Sequence, residues 1–294
     1  MPEIIEQMLN QYHNGPDFGK KNQIKEVIQE IILCGLSRGG FFNHAAFYGG
    51  TALRIFHGLD RFSEDLDFSL TKPDPDFDFR SYLPAIENEV NAYGLHFHAE
   101  EHPKANDSDI RSAFLKGNTK EHILLFYADE KLAASIHKDE TIRIKFGVDI
   151  NPPLYAGYEQ NYRLMPIPYA VRLYDMPSLF AGKIHAVLFR AWRNRVKGRD
   201  LYDYIYYLSK NTPVNLHHLE SRLHQTGFLS ETETLDIDKL KALLDKRFSD
   251  INYKEARNDV LPFIARPEKL DLWSSEFFMA ITENLQAVTG EKQA

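Results

Sequence analysis

Asp65 and Asp67 are separated by one residue in Ser63-Glu64-Asp65-Leu66-Asp67-Phe68, a run that alternates in the manner of a β-strand. Successive strand side chains point to opposite faces, so Ser63, Asp65 and Asp67 share one face, with the two carboxylate-bearing Cβ atoms about 6 to 7 Å apart. Such a pair suits Mg2+, a hard cation that takes carboxylate oxygens together with substrate phosphates. Two such ions about 3.5 to 4 Å apart support in-line phosphoryl or nucleotidyl transfer. Upstream, Gly49-Gly50-Thr51 follows the apolar stretch 45–48. Lacking Cβ atoms, Gly49 and Gly50 let backbone amides approach a triphosphate, and the N-terminus of the following helix favours anions. Thr51 is placed to cap that helix, which reads from Ala52. Ser63 would donate its hydroxyl to nucleotide phosphate, a plain strand serine being the alternative; Arg61 and Arg54 are weaker phosphate candidates. Each motif alone is common, and it is their order, strand, Gly-Gly-Thr, short helix, acidic strand, that carries weight.

The elements that must position these residues follow from periodicity. Residues 1 to about 37 read as helical, because Ile4, Ile5, Met8 and Leu9, then Ile24, Val27, Ile28, Ile31 and Ile32 recur near the helical period, interrupted by the turn Asn14-Gly15-Pro16. A helix is expected over about 77–93, and strands over roughly 95–101, 110–116, 121–127 and 141–150. In the last of these, Ile142, Ile144, Phe146, Val148 and Ile150 form one face and Arg143, Lys145 and Asp149 the other. From about Pro177 the pattern is helical, over 178–192, 197–209, 216–223, 236–246 and 272–288. The expectation is an α+β fold: an N-terminal domain (1–175) with a mixed β-sheet flanked by helices, and a C-terminal helical domain (176–294), joined near Pro166 to Pro177.

The stretch Phe47-Tyr48-Gly49-Gly50-Thr51-Ala52-Leu53, followed by Arg61-Phe62-Ser63-Glu64-Asp65-Leu66-Asp67-Phe68, resembles motif I of the polymerase-β-like nucleotidyltransferases. More specifically, it is similar to the AbiEii/AbiGii toxin family, whose strongest signature is a Gly-Gly-Thr turn and a Ser-x-Asp-x-Asp-Phe strand. The likeness continues through Lys183 and Asp200 to Asp203, over roughly residues 40–210. The resemblance implies a nucleotidyltransferase-like N-terminal domain, with Asp65 and Asp67 holding Mg2+, for which Mn2+ can substitute. It implies a third carboxylate ligand on a later strand. Asp149 is the best candidate because it ends a strand and faces away from the apolar stripe; a strand-end aspartate capping the turn Asn151-Pro152-Pro153 is the alternative.

The resemblance also implies a lysine in contact with nucleotide phosphate, at Lys183 in Gly182-Lys183-Ile184-His185-Ala186, an exposed helix lysine being the alternative. Asp200 and Asp203 lie three apart and share a helix face; one of them, Asp200 first, would orient Lys183 or act near the substrate hydroxyl. Either also stabilises a helix N-terminus by about 0.3 to 1 kcal/mol. The implied activity is that of a toxin that transfers a nucleoside monophosphate from an NTP to an acceptor hydroxyl. That acceptor would be RNA, at the tRNA 3′ end, in an abortive-infection, type IV toxin–antitoxin system with a cognate antitoxin as partner.

Composition bounds the rest. With 43% hydrophobic residues, 294 residues suffice for a substantial core. No apolar run reaches the roughly 20 residues that span a bilayer, and Met1 to Gln7 does not read as a signal peptide, so a cytoplasmic location is expected. Cys34 sits in an apolar run and reads as a buried structural thiol. A net charge of −7 argues against a generally basic, nucleic-acid-coating surface. Yet Arg190, Arg193, Arg195, Lys197 and Arg199 cluster ahead of Asp200 and are the best candidates for acceptor contact, a solvated helix end being the alternative. His96, His98, His217 and His218 complete no zinc set and read as surface residues. There is no Gly-x-Gly-x-x-Gly and no Walker loop, so dehydrogenase, kinase and P-loop readings fall away. Two other functions stay open: a small-molecule nucleotidyltransferase acting on an antibiotic-like hydroxyl, and a catalytically silent partner-binding protein.

Overall fold

A computed structural model describes residues 3–13, 19–101, 109–189 and 197–289. The turn expected at Asn14-Gly15-Pro16, the basic residues Arg190, Arg193 and Arg195, and Trp192 lie outside the described residues. The chain divides into two compact units, one of residues 1–152 and 160–173, the other of residues 153–159 and 174–294.

The first unit opens with helices α1 (Glu3–His13) and α2 (Lys20–Arg38). Then come β1 (Ala45–Tyr48), α3 (Gly49–His57), β2 (Leu66–Leu70), α4 (Leu83–Ala92), β3 (Phe97–Glu101), β4 (Ile110–Asn118), α5 (Thr119–Tyr127), α6 (Glu130–Ser135) and β5 (Thr141–Asp149). Strands β6 (Tyr158–Arg163) and β7 (Tyr169–Tyr174) bring most of their length back into this unit. Among the described residues the strands form a seven-stranded mixed sheet in the order β3-β4-β5-β2-β1-β7-β6. At its centre β2 runs antiparallel to β1 and parallel to β5.

Helix α2 is buried over most of its circumference: Ile24, Val27, Ile28, Ile31, Ile32 and Leu36 are fully buried, and Gln23, Glu26, Gln29 and Glu30 are buried beside them. It packs with α4 and against β5, and its side chains join the sheet face of Leu66, Phe68, Ile144, Phe146 and Val148 in one cluster. Each such side chain contributes roughly 1.5–3 kcal/mol on burial. Because side chains alternate along strands, the other face of the same sheet carries Asp67, Lys145, Gly147 and Asp149.

Three expectations are corrected. The stretch 121–127, expected as a strand, lies in helix α5: Asn118 accepts a hydrogen bond from the Glu121 amide and caps it. An apolar run of this length is ambiguous by periodicity, and the cap decides it. The expected strand over 63–68 begins only at Leu66. The region Pro166 to Pro177, which read as the junction between domains, contains strand β7, in which Tyr169, Val171 and Leu173 alternate into the core.

The second unit comprises α7 (Met176–Phe189), α8 (Gly198–Ser209), β8 (Val214–Asn215), α9 (Leu216–Gln225), α10 (Ile237–Ser249), α11 (Tyr253–Val260), α12 (Ser275–Thr282) and β9 (Ala287–Val288). Gly198 allows α8 its approach to α11, since a Cβ there would run into the Ala256 carbonyl. The long helix expected over 272–288 is shorter: Ser274 caps it through the Phe277 amide, it ends at Thr282, and 287–288 pairs in parallel with β8. Among the described residues no helix is long and apolar enough to cross a membrane. Cys34 is fully buried, as expected, and its thiol is pushed up to about 12 by burial first and by Glu89 second.

His218 is not a surface residue. It is 2% exposed, Nδ1 lies 2.9 Å from the Leu154 carbonyl oxygen, and burial pushes its pKa down to about 4. The unfolded chain would protonate it near 6.5. Between those values the unfolded state binds more protons than the folded one, so stability falls as pH drops from about 6.5 towards 4, by about 3 kcal/mol in total. Urea denaturation of the wild type and of His218→Gln across this range should show a shallower pH dependence in the variant. Equal slopes would refute the assignment.

Candidate active site

Strand β1 ends at Tyr48, the register partner of Asp67 on β2. The next residue, Gly49, has φ +83°, in the left-handed region that favours glycine. A Cβ on Gly49 would stand 3.0 Å from Asp67 Oδ2. On the other flank β5 sets Gly147 beside Asp67, and a Cβ there would stand 3.4 Å from Asp67 Oδ1. The carboxylate thus lies between two glycines, one on each side, in space that side chains would otherwise fill. Gly147 was not among the expected site residues; a glycine interrupting an alternating strand was the available signal.

Helix α3 begins at Gly49, with Tyr48 at the cap position, so Thr51 does not cap it. Thr51 lies in the first turn instead. Its hydroxyl donates towards the Asp65 carbonyl oxygen and lies 2.9 Å from Ser63 Oγ. Since β2 starts at Leu66, Ser63, Glu64 and Asp65 precede the strand, and side chains secure their backbone. Gln29, fully buried on α2, donates through Nε2 to the carbonyls of Ser63 at 3.0 Å and Glu64 at 2.9 Å. Lys25 pairs with Glu64 at 3.1 Å. Asp65 is exposed and Asp67 half-buried, while Leu66 and Phe68 point into the core.

Gln29→Leu removes both donors and leaves two carbonyls short of partners, at a cost of about 1–3 kcal/mol. Gln29→Glu turns an acceptor-only carboxylate towards the same carbonyls and should cost at least as much. Urea denaturation checks both, and wild-type stability in either would refute the role.

Asp149 is 4% exposed and its Oδ1 accepts the Asn151 amide at 3.1 Å, the turn-capping contact that the sequence offered as the alternative. Its register partner is Ser69, not Asp67. Among the described residues no group of three His, Cys, Asp or Glu side chains is arranged to hold a metal ion. The Asp65 and Asp67 carboxylates remain hard anionic donors, and the glycine-flanked space around Asp67 fits a divalent cation shared with phosphate. Of the two arginines, Arg54 pairs with the buried Glu26 at 2.7 Å, and Arg61, 3% exposed, donates to the Phe62 carbonyl at 2.9 Å with its guanidinium beside Gly50.

Within the second unit, Lys183 on α7 is not an exposed helix lysine. Its Nζ lies 2.7 Å from Asp200 Oδ1 and 2.8 Å from Asp203 Oδ2, both on α8. The expected helix-face sharing of the two aspartates therefore holds, and both engage the lysine rather than one. Of the basic cluster, Arg199 stacks over the Phe263 ring at 4.2 Å.

The fold is of the α+β class, a mixed sheet whose central strand carries a carboxylate between two glycines, beside a helix that begins at Gly49. The chain belongs to the AbiEii nucleotidyltransferase toxin family: the family model described as "Nucleotidyl transferase AbiEii toxin, Type IV TA system" matches residues 31–280. Two solved structures are loosely similar. One is of a candidate nucleotidyltransferase from H. pylori, at 18% identity and a TM-score of 0.48, covering 90% of this chain and 92% of that one. The other is of JHP933 from Helicobacter pylori, at 17% identity and a TM-score of 0.45, covering 90% and 89%. No curated protein matches the chain significantly. The family match alone carries the assignment.

Proposed function

We propose that the chain transfers a nucleoside monophosphate from an NTP to a hydroxyl of RNA, as the toxin of a pair with a cognate antitoxin. The observation that carries this reading is the Asp67 carboxylate set between Gly49 and Gly147, beside a helix that begins at Gly49. Backbone amides of Gly49 and Gly50 receive the triphosphate at that helix N-terminus. Gln29 and Thr51 hold the segment bearing Asp65, so the two carboxylates are presented together. Asp65 and Asp67 would hold Mg2+, which when bound stabilises the charge on the phosphoryl oxygens and on departing pyrophosphate. Asp149 would be a third donor, and the Asn151 amide on its Oδ1 leaves that role open because a carboxylate accepts through both oxygens. Thr51 and Ser63 act by shaping the turn. The lysine that the family resemblance assigns to nucleotide phosphate is Lys183, in the second unit, where Asp200 and Asp203 hold its amine. The acceptor oxygen bonds to the α-phosphorus as the bond to pyrophosphate breaks, and the hydroxyl proton leaves to solvent.

The test is incubation of the protein with each α-labelled NTP and Mg2+, together with either tRNA or small hydroxylated acceptors. Label in RNA is the expected result. Label confined to a small acceptor would establish the antibiotic-type activity instead, and no label anywhere would return the chain to the silent, partner-binding class.

A further inference from the structure

Lys145 lies on β5 two residues before Gly147, and so on the sheet face that carries Asp67. Strand spacing puts its Cα about 8 Å from that of Asp67. It is exposed, and among the described residues no carboxylate pairs with it. Two residues earlier on the same face stands Arg143, also exposed, its Nε donating to Thr141 Oγ1 at 3.1 Å. The register of β4 continues the row: Phe114 is opposite Lys145, and Lys116 is opposite Arg143. His98 on β3 follows opposite Lys116. Glu100 on β3 is paired with Lys116 and also lies in the field of Arg143 and His98. A basic strip with an aromatic ring beside it therefore runs outward from the acidic pair, in a chain whose net charge is −7.

The sheet order gives this strip a direction. Asp67 on β2 has β1, with its glycine turn, on one side and β5 on the other. In-line displacement brings the attacking hydroxyl to the α-phosphorus from the side opposite the leaving pyrophosphate. If the triphosphate lies at the β1 side, the acceptor comes from the β5 side. Basic groups interleaved with an aromatic ring suit a single-stranded polynucleotide, whose backbone takes the charges and whose bases take the ring. A small uncharged acceptor has no use for them. We infer that Lys145 and Arg143 hold backbone phosphates of the acceptor RNA along the β5 side of Asp67, which makes them acceptor-positioning residues of the transfer proposed above, on which the inference rests.

The test uses the full chain, a labelled single-stranded oligoribonucleotide and the double variant Arg143→Ala/Lys145→Ala, with Lys145→Arg as the charge-preserving control. Fluorescence anisotropy over a salt series should show roughly tenfold weaker binding in the double variant, and a salt slope shallower by about 1.4 for two lost single-strand phosphate contacts. Lys145→Arg should bind as wild type does. In the incorporation assay the KM for RNA should rise while the KM for NTP stays unchanged. Equal RNA affinity and slope in wild type and double variant would overturn the inference, as would a rise confined to the KM for NTP, which would make these residues nucleotide contacts. Failure of the underlying reaction is recorded separately: wild-type protein would then incorporate no NTP into RNA, whatever the binding data show.

Discussion

Asp67→Asn is expected to lower nucleotide transfer by on the order of a thousandfold, equivalent to about 4 kcal/mol of transition-state stabilisation. The asparagine side chain has nearly the same shape, so the space between Gly49 and Gly147 stays as it is and only the negative charge disappears. The loss should therefore fall on kcat, with a urea midpoint close to that of the wild type. A companion substitution, Gly147→Val, keeps the charge but puts methyl groups into that space, and should also abolish transfer without removing any chemical group. Incorporation of labelled NTP under saturating substrate measures both. Transfer by Asp67→Asn within threefold of the wild type would remove the acidic pair from the mechanism.

The second large effect is on stability. Lys183 sits between two carboxylates whose side chains are 4% and 0% exposed, and its own side chain is 13% exposed. Lys183→Met keeps the length and apolar stem but strands two negative charges away from water. Breaking a buried ion pair from one side costs about 3–5 kcal/mol, because the remaining charge has no compensation. Adding Asp200→Asn and Asp203→Asn to Lys183→Met should restore much of that loss, since a buried neutral amide costs less than a buried carboxylate that has lost its counter-charge. Urea unfolding of the single and triple variants tests this, and a single variant as stable as wild type would show that the cluster contributes little to the fold. Inactivity of Lys183→Ala can be assigned to nucleotide contact only where the folded fraction has been measured. The triple variant, folded but without the amine, separates the two roles.

The placement of Asp67 away from the core was legible because its logic is local. Asp67 stands between Leu66 and Phe68, which bury, so strand alternation put its carboxylate on the other face, whereas Asp65 precedes the strand. The same holds for α2, whose apolar periodicity marks it as a core helix, and for β1 and β5, whose bounds were nearly met. Where local signals conflicted, reading failed. Residues 121–127 are apolar enough for either helix or strand, and only the Asn118 cap separates them. Thr51 has the right chemistry for a cap, but the helix begins at Gly49, so Thr51 falls in its first turn with its hydroxyl on the Asp65 carbonyl.

Other features had no local signature at all. That Gly147 flanks Asp67, that Gln29 reaches the carbonyls of Ser63 and Glu64, and that Lys183 binds both Asp200 and Asp203 depend on partners distant in the chain. Their spacing in sequence says nothing of their distance in space. His218 shows the same division: its neighbours in sequence did not mark it as buried, and packing around it holds it neutral. The sequence by itself determined which residue types face the acidic side of the central strand and where the chain bends into helix α3, because alternation and glycine freedom belong to adjacent residues. Tertiary structure decided strand register, burial and ion pairing, because each of these requires two distant segments to meet, and the free energy of that meeting is not a property of either segment alone.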